Sequence, residues 1–162
     1  WLQNEVYPGR HILWVTVPWA EVVVEKWYKK IWVLATEATV RTRMYKERVH
    51  ILDDSVIVEE VAAPGLVPLI EKWIVSGPEI ERLLTDYLSQ FSPDIEALVL
   101  GCTHYPILGK AIRDSWNMLP NRWCGDHDPI QLVDPGLEAA KKFAAWKTRH
   151  CYAFGDRVGH SC

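Results

Sequence analysis

Short apolar runs alternate with amphipathic segments along most of this chain, a rhythm that predicts a parallel α/β sheet. The predicted strands cover residues 12–17, 31–35, 55–61, 95–100 and 130–133. The predicted helices cover residues 20–28, 36–49, 68–73, 106–116 and 135–150. Another helix is predicted after Ser76, which is placed as an N-cap with Pro78 close behind it, and runs to about residue 89. We therefore expect an α/β fold with a parallel or mixed sheet flanked by helices, and a polar loop over residues 117–129.

The composition is that of an ordinary globular domain. The 162 residues have room for one domain with a sound core, or for one domain and a fragment of another. Apolar residues make up 49%, charged residues 24%, and the net charge is −3. This balance and the scattered basic residues argue against nucleic-acid binding. No stretch reaches the ~18 to 20 apolar residues of a membrane span, and no leader pattern opens the chain, so we expect a cytoplasmic protein without membrane contact.

The cysteines give no sign of a disulfide framework or a paired metal motif. Their spacing is irregular in a chain long enough to build a core, so reduced thiols are the simpler expectation. A zinc site in the tail, which is rich in cysteine and histidine, is the alternative. It lacks the Cys-x-x-Cys or His-x3-His spacing that structural zinc favours, and we expect no metal. The four cysteines are Cys102, Cys124, Cys151 and Cys162.

A candidate reactive thiol follows the apolar run over residues 95–100. Gly101 lets the backbone turn, and Cys102 and His104 come directly after it. Pro106 suits the first turn of a helix, whose free N–H groups and positive dipole end favour a thiolate. His104 can supply a second acid or base. An isolated Cys-x-His is more often a buried thiol beside a surface histidine, so the neighbouring motifs must decide.

Four motifs resemble those of one family in the family's own order. Gly-Cys-Thr-His-Tyr-Pro over residues 101–106 resembles the second cysteine motif of the glutamate racemases, cofactor-independent enzymes of the aspartate/glutamate racemase superfamily. Residues 31–40 resemble its strand and Thr-x-x-Thr helix start, with Tyr45 placed as the family places a tyrosine. Residues 64–71 resemble its Pro-x-x-Val-Pro-Leu-x-Glu segment, although Ala63 stands where a cysteine is common. Residues 133–140 are similar to its closing strand and helix.

The resemblance implies two similar flavodoxin-like, three-layer α/β domains with the active site between them, each supplying one catalytic cysteine. On that template residues 12–104 form a racemase-like domain, and residues 105–150 form the segment that returns to the first domain. Residues 1–11 are an N-terminal extension or truncated linker, and residues 151–162 are a tail. The first domain's Ala-Cys-Asn-Thr motif has no counterpart here. Apolar surface that this domain would cover favours association, so a homodimer is one expectation.

The resemblance also implies a chemistry. Racemising L- and D-glutamate, for peptidoglycan precursors, needs an acid/base group on each face of the α-carbon. Cys102 is then one such group, His104 assists its proton transfer, and Glu71 orients His104 or holds the ammonium group. The implied partner is glutamate, a small molecule, and no cofactor is needed.

Three threonines are candidates for holding the substrate. Thr103 matches the family position that binds it, where a hydroxyl and backbone N–H groups can receive a carboxylate. Thr36 and Thr39 are weaker candidates, because threonine also favours helix caps.

The other three cysteines do not stand in a context like the missing Ala-Cys-Asn-Thr motif, so Cys102 is the one acid/base thiol that the resemblance identifies. With one acid/base group we expect racemisation to be lost or very weak. The alternatives are an inactive carboxylate-binding module or fragment, and a single-cysteine relative that decarboxylates malonate-type substrates and protonates one face.

Nine tryptophans are an anomaly for a chain of this length. Several occupy positions where the family pattern usually has glycine, which permits positive φ or close backbone approach. Overpacking at one such core position costs ~1 to 3 kcal/mol. Two interpretations stay open: a divergent relative repacked around the rings, or an altered racemase sequence. The positions are Trp14, Trp19, Trp27, Trp32 and Trp73, together with Arg43.

Overall fold

The computed structural model describes residues 15, 17–120 and 130–155, and side chains as far as residue 149. Its strands are β1 (Lys30–Ala35), β2 (Ile57–Ala62), β3 (Ala97–Leu100) and β4 (Gln131–Val133). Its helices are α1 (Pro18–Glu25), α2 (Glu37–Thr42), α3 (Met44–His50), α4 (Leu66–Glu71), α5 (Pro78–Leu88), α6 (Gly109–Met118) and α7 (Pro135–Gly155). A 3₁₀ helix, Tyr105–Leu108, precedes α6.

The four strands form one parallel sheet in the order β2-β1-β3-β4. Leu34 of β1 lies opposite Val61 of β2 and Leu100 of β3, and Val99 of β3 lies opposite Val133 of β4. Strands covered on both faces need continuous apolar runs, which is what β1 and β3 contain. The predicted fold class is confirmed, and the sheet is parallel rather than mixed.

Successive strand residues point to two separate apolar layers. Leu34 and Leu98 face a cluster that includes α4, α5 and α6. Val33 and Val99 face a second cluster, which α1 and α3 cover. Helix α7 packs against α1 on that second side. The result is a three-layer arrangement of helices, sheet and helices.

Gly101 is required where β3 leaves the sheet. Its N–H donates to the carbonyl of Leu34 at 2.8 Å. A Cβ at this position would lie 2.8 Å from the Cβ of Ala35, closer than side-chain carbons pack. Glycine therefore lets β1 and β3 approach at the point where the candidate thiol segment begins.

Several predicted helix boundaries are wrong. Ser76 is not a cap, because the N-cap of α5 is Gly77 with φ of 97°. The helix expected over residues 36–49 is two helices, α2 and α3, separated by Arg43 with φ of 52°. The α-helix expected from Pro106 starts as a 3₁₀ turn and becomes α-helical only at Gly109. Of the strand expected over residues 12–17, only Val15 and Val17 are described, and both lie in turns.

Three of the residues found at expected glycine positions have left-handed backbone. Trp27 and Trp73 both have φ of 60°, and Arg43 has φ of 52°. Each tryptophan directly follows a helix C-cap, and its N–H bonds back into the last turn. These are positions where glycine is the preferred residue.

The predicted domain division remains a prediction. Within the described residues, β4 pairs with β3, so both predicted ranges contribute to one sheet. No helix in this part of the chain is long and apolar enough to cross a membrane.

Candidate functional site

The candidate site lies at the point where the sheet order reverses. Strand β1 leads to α2 and α3, which cover one face, and its neighbour β3 leads to α6 on the opposite face. In open α/β sheets the carboxyl ends of two such strands leave a crevice that binds ligands. Thr36 follows β1 and Cys102 lies just beyond β3, so these two residues flank the crevice.

A thiol, an imidazole and a carboxylate form a row at this edge. The Sγ of half-buried Cys102 lies 3.7 Å from Nδ1 of His104. The Nε2 of His104 lies 3.7 Å from Oε1 of Glu71, which belongs to α4. The side chains of His104 and Glu71 are 38% and 64% exposed. An imidazole between a thiol and a carboxylate can exchange a proton with the thiol. All three predicted site residues are thus brought together.

A tight turn, rather than an α-helix, holds the thiol. The carbonyl of Cys102 accepts from the N–H of Tyr105 at 3.1 Å. Helix α6 begins well beyond, at Gly109, and a helix dipole acts only within its first turn. The helical turn after the thiol is therefore 3₁₀ rather than α, and the helix-dipole support for a thiolate stays a prediction. The ionisable side chain beside the thiol in this turn is His104.

Tyr105 joins this turn to the end of β2. Its hydroxyl donates to the carbonyl of Ala63 at 2.9 Å in the buried interior. Burial, and then the charge of Cys102, raise the pKa of Tyr105. A neutral phenol that keeps its proton is a permanent hydrogen-bond donor to Ala63.

Tyr45 lies within electrostatic range of both Cys102 and Asp134, and sequence reasoning selected neither Tyr45 nor Asp134 as a site residue. Burial raises the pKa of Tyr45 to about 12, and the charges of Cys102 and Asp134 add to that rise. Asp134 follows β4 and caps α7, because its Oδ1 accepts from the N–H of Gly136 at 2.8 Å. An aspartate placed before Pro-Gly at the end of an apolar run was the available signal.

The three candidate threonines occupy different situations. Thr36 caps α2, since its Oγ1 accepts from the N–H of Thr39 at 3.3 Å. The hydroxyls of Thr36 and Thr39 are 2.9 Å apart. Thr103 is exposed in the turn between Cys102 and His104. Thr36 therefore has the capping role that we gave as the alternative.

The tail residues of the alternative zinc site lie outside the described side chains. Within those that are described, no group of three or more histidine, cysteine, aspartate or glutamate residues could hold a metal ion. Cys102 is the free cysteine of that part.

The parallel sheet and its flanking helices have the fold of the solved glutamate and aspartate racemase structures. A structure of an aspartate racemase homologue from Pyrococcus horikoshii shares this fold, with a TM-score of 0.55 at 16% identity over 91% of this chain and 62% of that one. No family model matches the chain.

The chain is similar in particular to glutamate racemases, which confirms the resemblance carried by its motifs. The enzyme of Exiguobacterium sibiricum is 34% identical over 72% of this chain and 40% of its own length. That of Carboxydothermus hydrogenoformans is 37% identical over 70% and 39%. A structure from Francisella tularensis, in complex with D-glutamate, has a TM-score of 0.76 and 27% identity over 91% of this chain and 51% of that one. The chain thus spans about half or less of these relatives.

Proposed function

We propose that this chain supplies one side of a glutamate racemase active site, in which Cys102 moves the α-proton without a cofactor. The row from Cys102 through His104 to Glu71, at the crevice between β1 and β3, is the observation that carries this proposal. The similarity to glutamate racemases indicates glutamate as the substrate. A product of this reaction would serve peptidoglycan precursor synthesis in the cytoplasm.

Each proposed role follows from the contacts. His104 takes the thiol proton of Cys102, and Glu71 stabilises the imidazolium that results. The thiolate then takes the α-proton, and the electron pair of the broken C–H bond stays on the carbon, delocalised into the substrate carboxylate. The thiol returns a proton to the same face. Thr103 receives the carboxylate, and the hydroxyls of Thr36 and Thr39 line the opposite side of the crevice.

Racemisation requires a second acid/base group across the substrate, because one fixed group serves one face. The described residues contribute a single free thiol, Cys102. We therefore propose that this chain alone exchanges the α-proton of one glutamate enantiomer and interconverts the two very slowly. The family pattern assigns the opposite face to a thiol of the other domain.

Deuterium uptake at the α-carbon of L- and D-glutamate tests this function. We expect uptake into one enantiomer, reduced by about 100-fold or more in Cys102→Ser, which removes the acid/base group. His104→Asn is also expected to reduce deuterium uptake. Thr148→Ser, far along α7, is the matched control with unchanged uptake. Binding without uptake would instead identify an inactive carboxylate-binding module.

A further inference from the structure

Tyr105 occupies a position that neither the motif chemistry nor the proton-transfer row uses. Its ring is fully buried in the apolar layer of α4 and α6. Its N–H closes the turn that begins at the carbonyl of Cys102, at 3.1 Å. Its hydroxyl reaches across to Ala63 at 2.9 Å. One residue therefore touches the thiol turn at its backbone and the end of β2 at its side chain.

The Ala63 contact matters because Ala63 leads directly into α4. The N–H of Leu66, the first residue of α4, donates to that same carbonyl at 3.3 Å. Helix α4 carries Glu71 at its last position, and Glu71 faces His104. The carbonyl of Ala63 thus joins the helix that holds the carboxylate to the turn that holds the thiol and imidazole.

We propose that Tyr105 is a positioning residue, whose hydrogen bond to Ala63 holds the Cys102–His104 turn in register with Glu71 on α4. This inference rests on the proposed function for its purpose, but the geometry can be tested on the thiol alone. Glu71 and His104 are long, partly exposed side chains at 3.7 Å, and such a pair stays aligned only if its backbones are fixed. The buried hydrogen bond from Tyr105 to Ala63 fixes the distance between the backbone of the thiol turn and the backbone that leads into α4.

The test is the rate of Cys102 alkylation by iodoacetamide, followed by peptide-resolved mass spectrometry across the pH range in which histidine titrates. Tyr105→Phe is expected to slow Cys102 alkylation by about fivefold, equal to ~1 kcal/mol of lost coupling. Tyr28→Phe is the matched control with an unchanged rate, since Tyr28 packs against the apolar cluster on the opposite face of the sheet. The titratable groups that face the thiol turn are His104, Glu71, Tyr45 and Tyr105, with Asp134 next to Tyr45 and Tyr87 next to Tyr105.

A double-mutant cycle separates positioning from general loosening. In the His104→Asn background the aligned imidazole is absent, so Tyr105→Phe should change the alkylation rate no further. A structural role alone would give the same effect in both backgrounds, or faster alkylation of a more exposed thiol, and either result overturns the proposal.

A second variant keeps the proposal testable if Tyr105→Phe does not fold. Pro64→Gly loosens the exposed turn after Ala63 while Tyr105 stays intact. We expect slower Cys102 alkylation in this variant too, and an unchanged rate contradicts the proposal. Because no substrate is involved, these outcomes stand apart from the glutamate test: absent α-proton exchange with an intact Tyr105 effect would reject the racemase function alone.

Discussion

At the scale of single residues, the tryptophans after α1 and α4 occupy backbone positions that suit glycine. Trp73 follows the C-cap Lys72, and the N–H groups of Trp73 and Ile74 donate to Ile70 and Leu69 at 2.8 and 3.0 Å. This is the Schellman pattern, whose left-handed residue is usually glycine. The Trp73 side chain is 85% exposed and gains little from packing. The backbone cost at this residue is therefore uncompensated.

We predict that Trp73→Gly stabilises the protein by about 1 kcal/mol, because glycine adopts positive φ without a Cβ clash. Denaturant unfolding would measure the change. Trp73→Ala is the control: it removes the ring but keeps the strained Cβ, and should leave the free energy of unfolding nearly unchanged. Equal stabilisation by both variants would show that the ring, and not the backbone, is the source of the cost.

At the scale of elements, the site depends on how closely β1 and β3 approach. The two strands pair directly, and just after β3 there is no room for a Cβ at Gly101. The contacts that a Cβ would make are with Ala35 and Val33 of β1, which are buried and cannot withdraw to solvent. The packing of β1 against β3 therefore fixes the position of the turn that carries Cys102.

Gly101→Ala should destabilise the protein by about 1 to 3 kcal/mol, because it forces an overpacked contact between two strands. Gly109→Ala is the matched control, since a Cβ there meets its nearest atoms at an ordinary 3.7 Å. Alanine is also the better residue in a helix, so this control should be neutral or slightly stabilising. Thermal unfolding of both variants measures the contrast, and equal effects would contradict the close-approach argument.

At the scale of the whole molecule, the buried tryptophans are part of the core. Trp32 is fully buried, stacked on Phe91 with ring centroids 4.0 Å apart and edge-on to Trp116 at 5.0 Å. Trp19, also fully buried, lies 4.8 Å from the ring of Tyr45 on the opposite face. The aromatic rings thus fill both layers. This packing favours the interpretation of a relative repacked around its tryptophans.

We predict that Trp32→Ala costs about 3 to 5 kcal/mol, a large share of the ~5 to 15 kcal/mol that stabilises a domain. The same substitution at Trp27, which is 79% exposed, should change the free energy of unfolding little. Chemical unfolding of the two variants decides between the interpretations. A stabilised Trp32→Ala variant would mean that the ring overpacks the core and that the altered-sequence interpretation holds.

The sequence alone determined the class of fold and the composition of the candidate site. The apolar runs of β1 and β3 are continuous because both faces are buried, so their position and parallel pairing could be predicted. Cys102 and His104 could be selected from a local pattern, because an apolar strand, a glycine and two reactive side chains follow one another in the sequence. Glu71 came from the resemblance rather than from any local pattern.

Only the tertiary structure decided which residues from distant segments of the chain come close to one another. The predicted helix boundaries were wrong where the backbone conformation outweighed the side-chain preference for capping. Gly77 is the N-cap of α5, and Arg43 divides the helix predicted over residues 36–49. Tyr45 comes within electrostatic range of the thiol from a segment far away in the chain, a proximity that no local spacing encodes. The hydrogen bond from Tyr105 to Ala63 likewise forms only after β2 and β3 are placed beside β1. Local sequence sets strands and reactive groups, whereas their alignment arises from packing between segments distant in sequence.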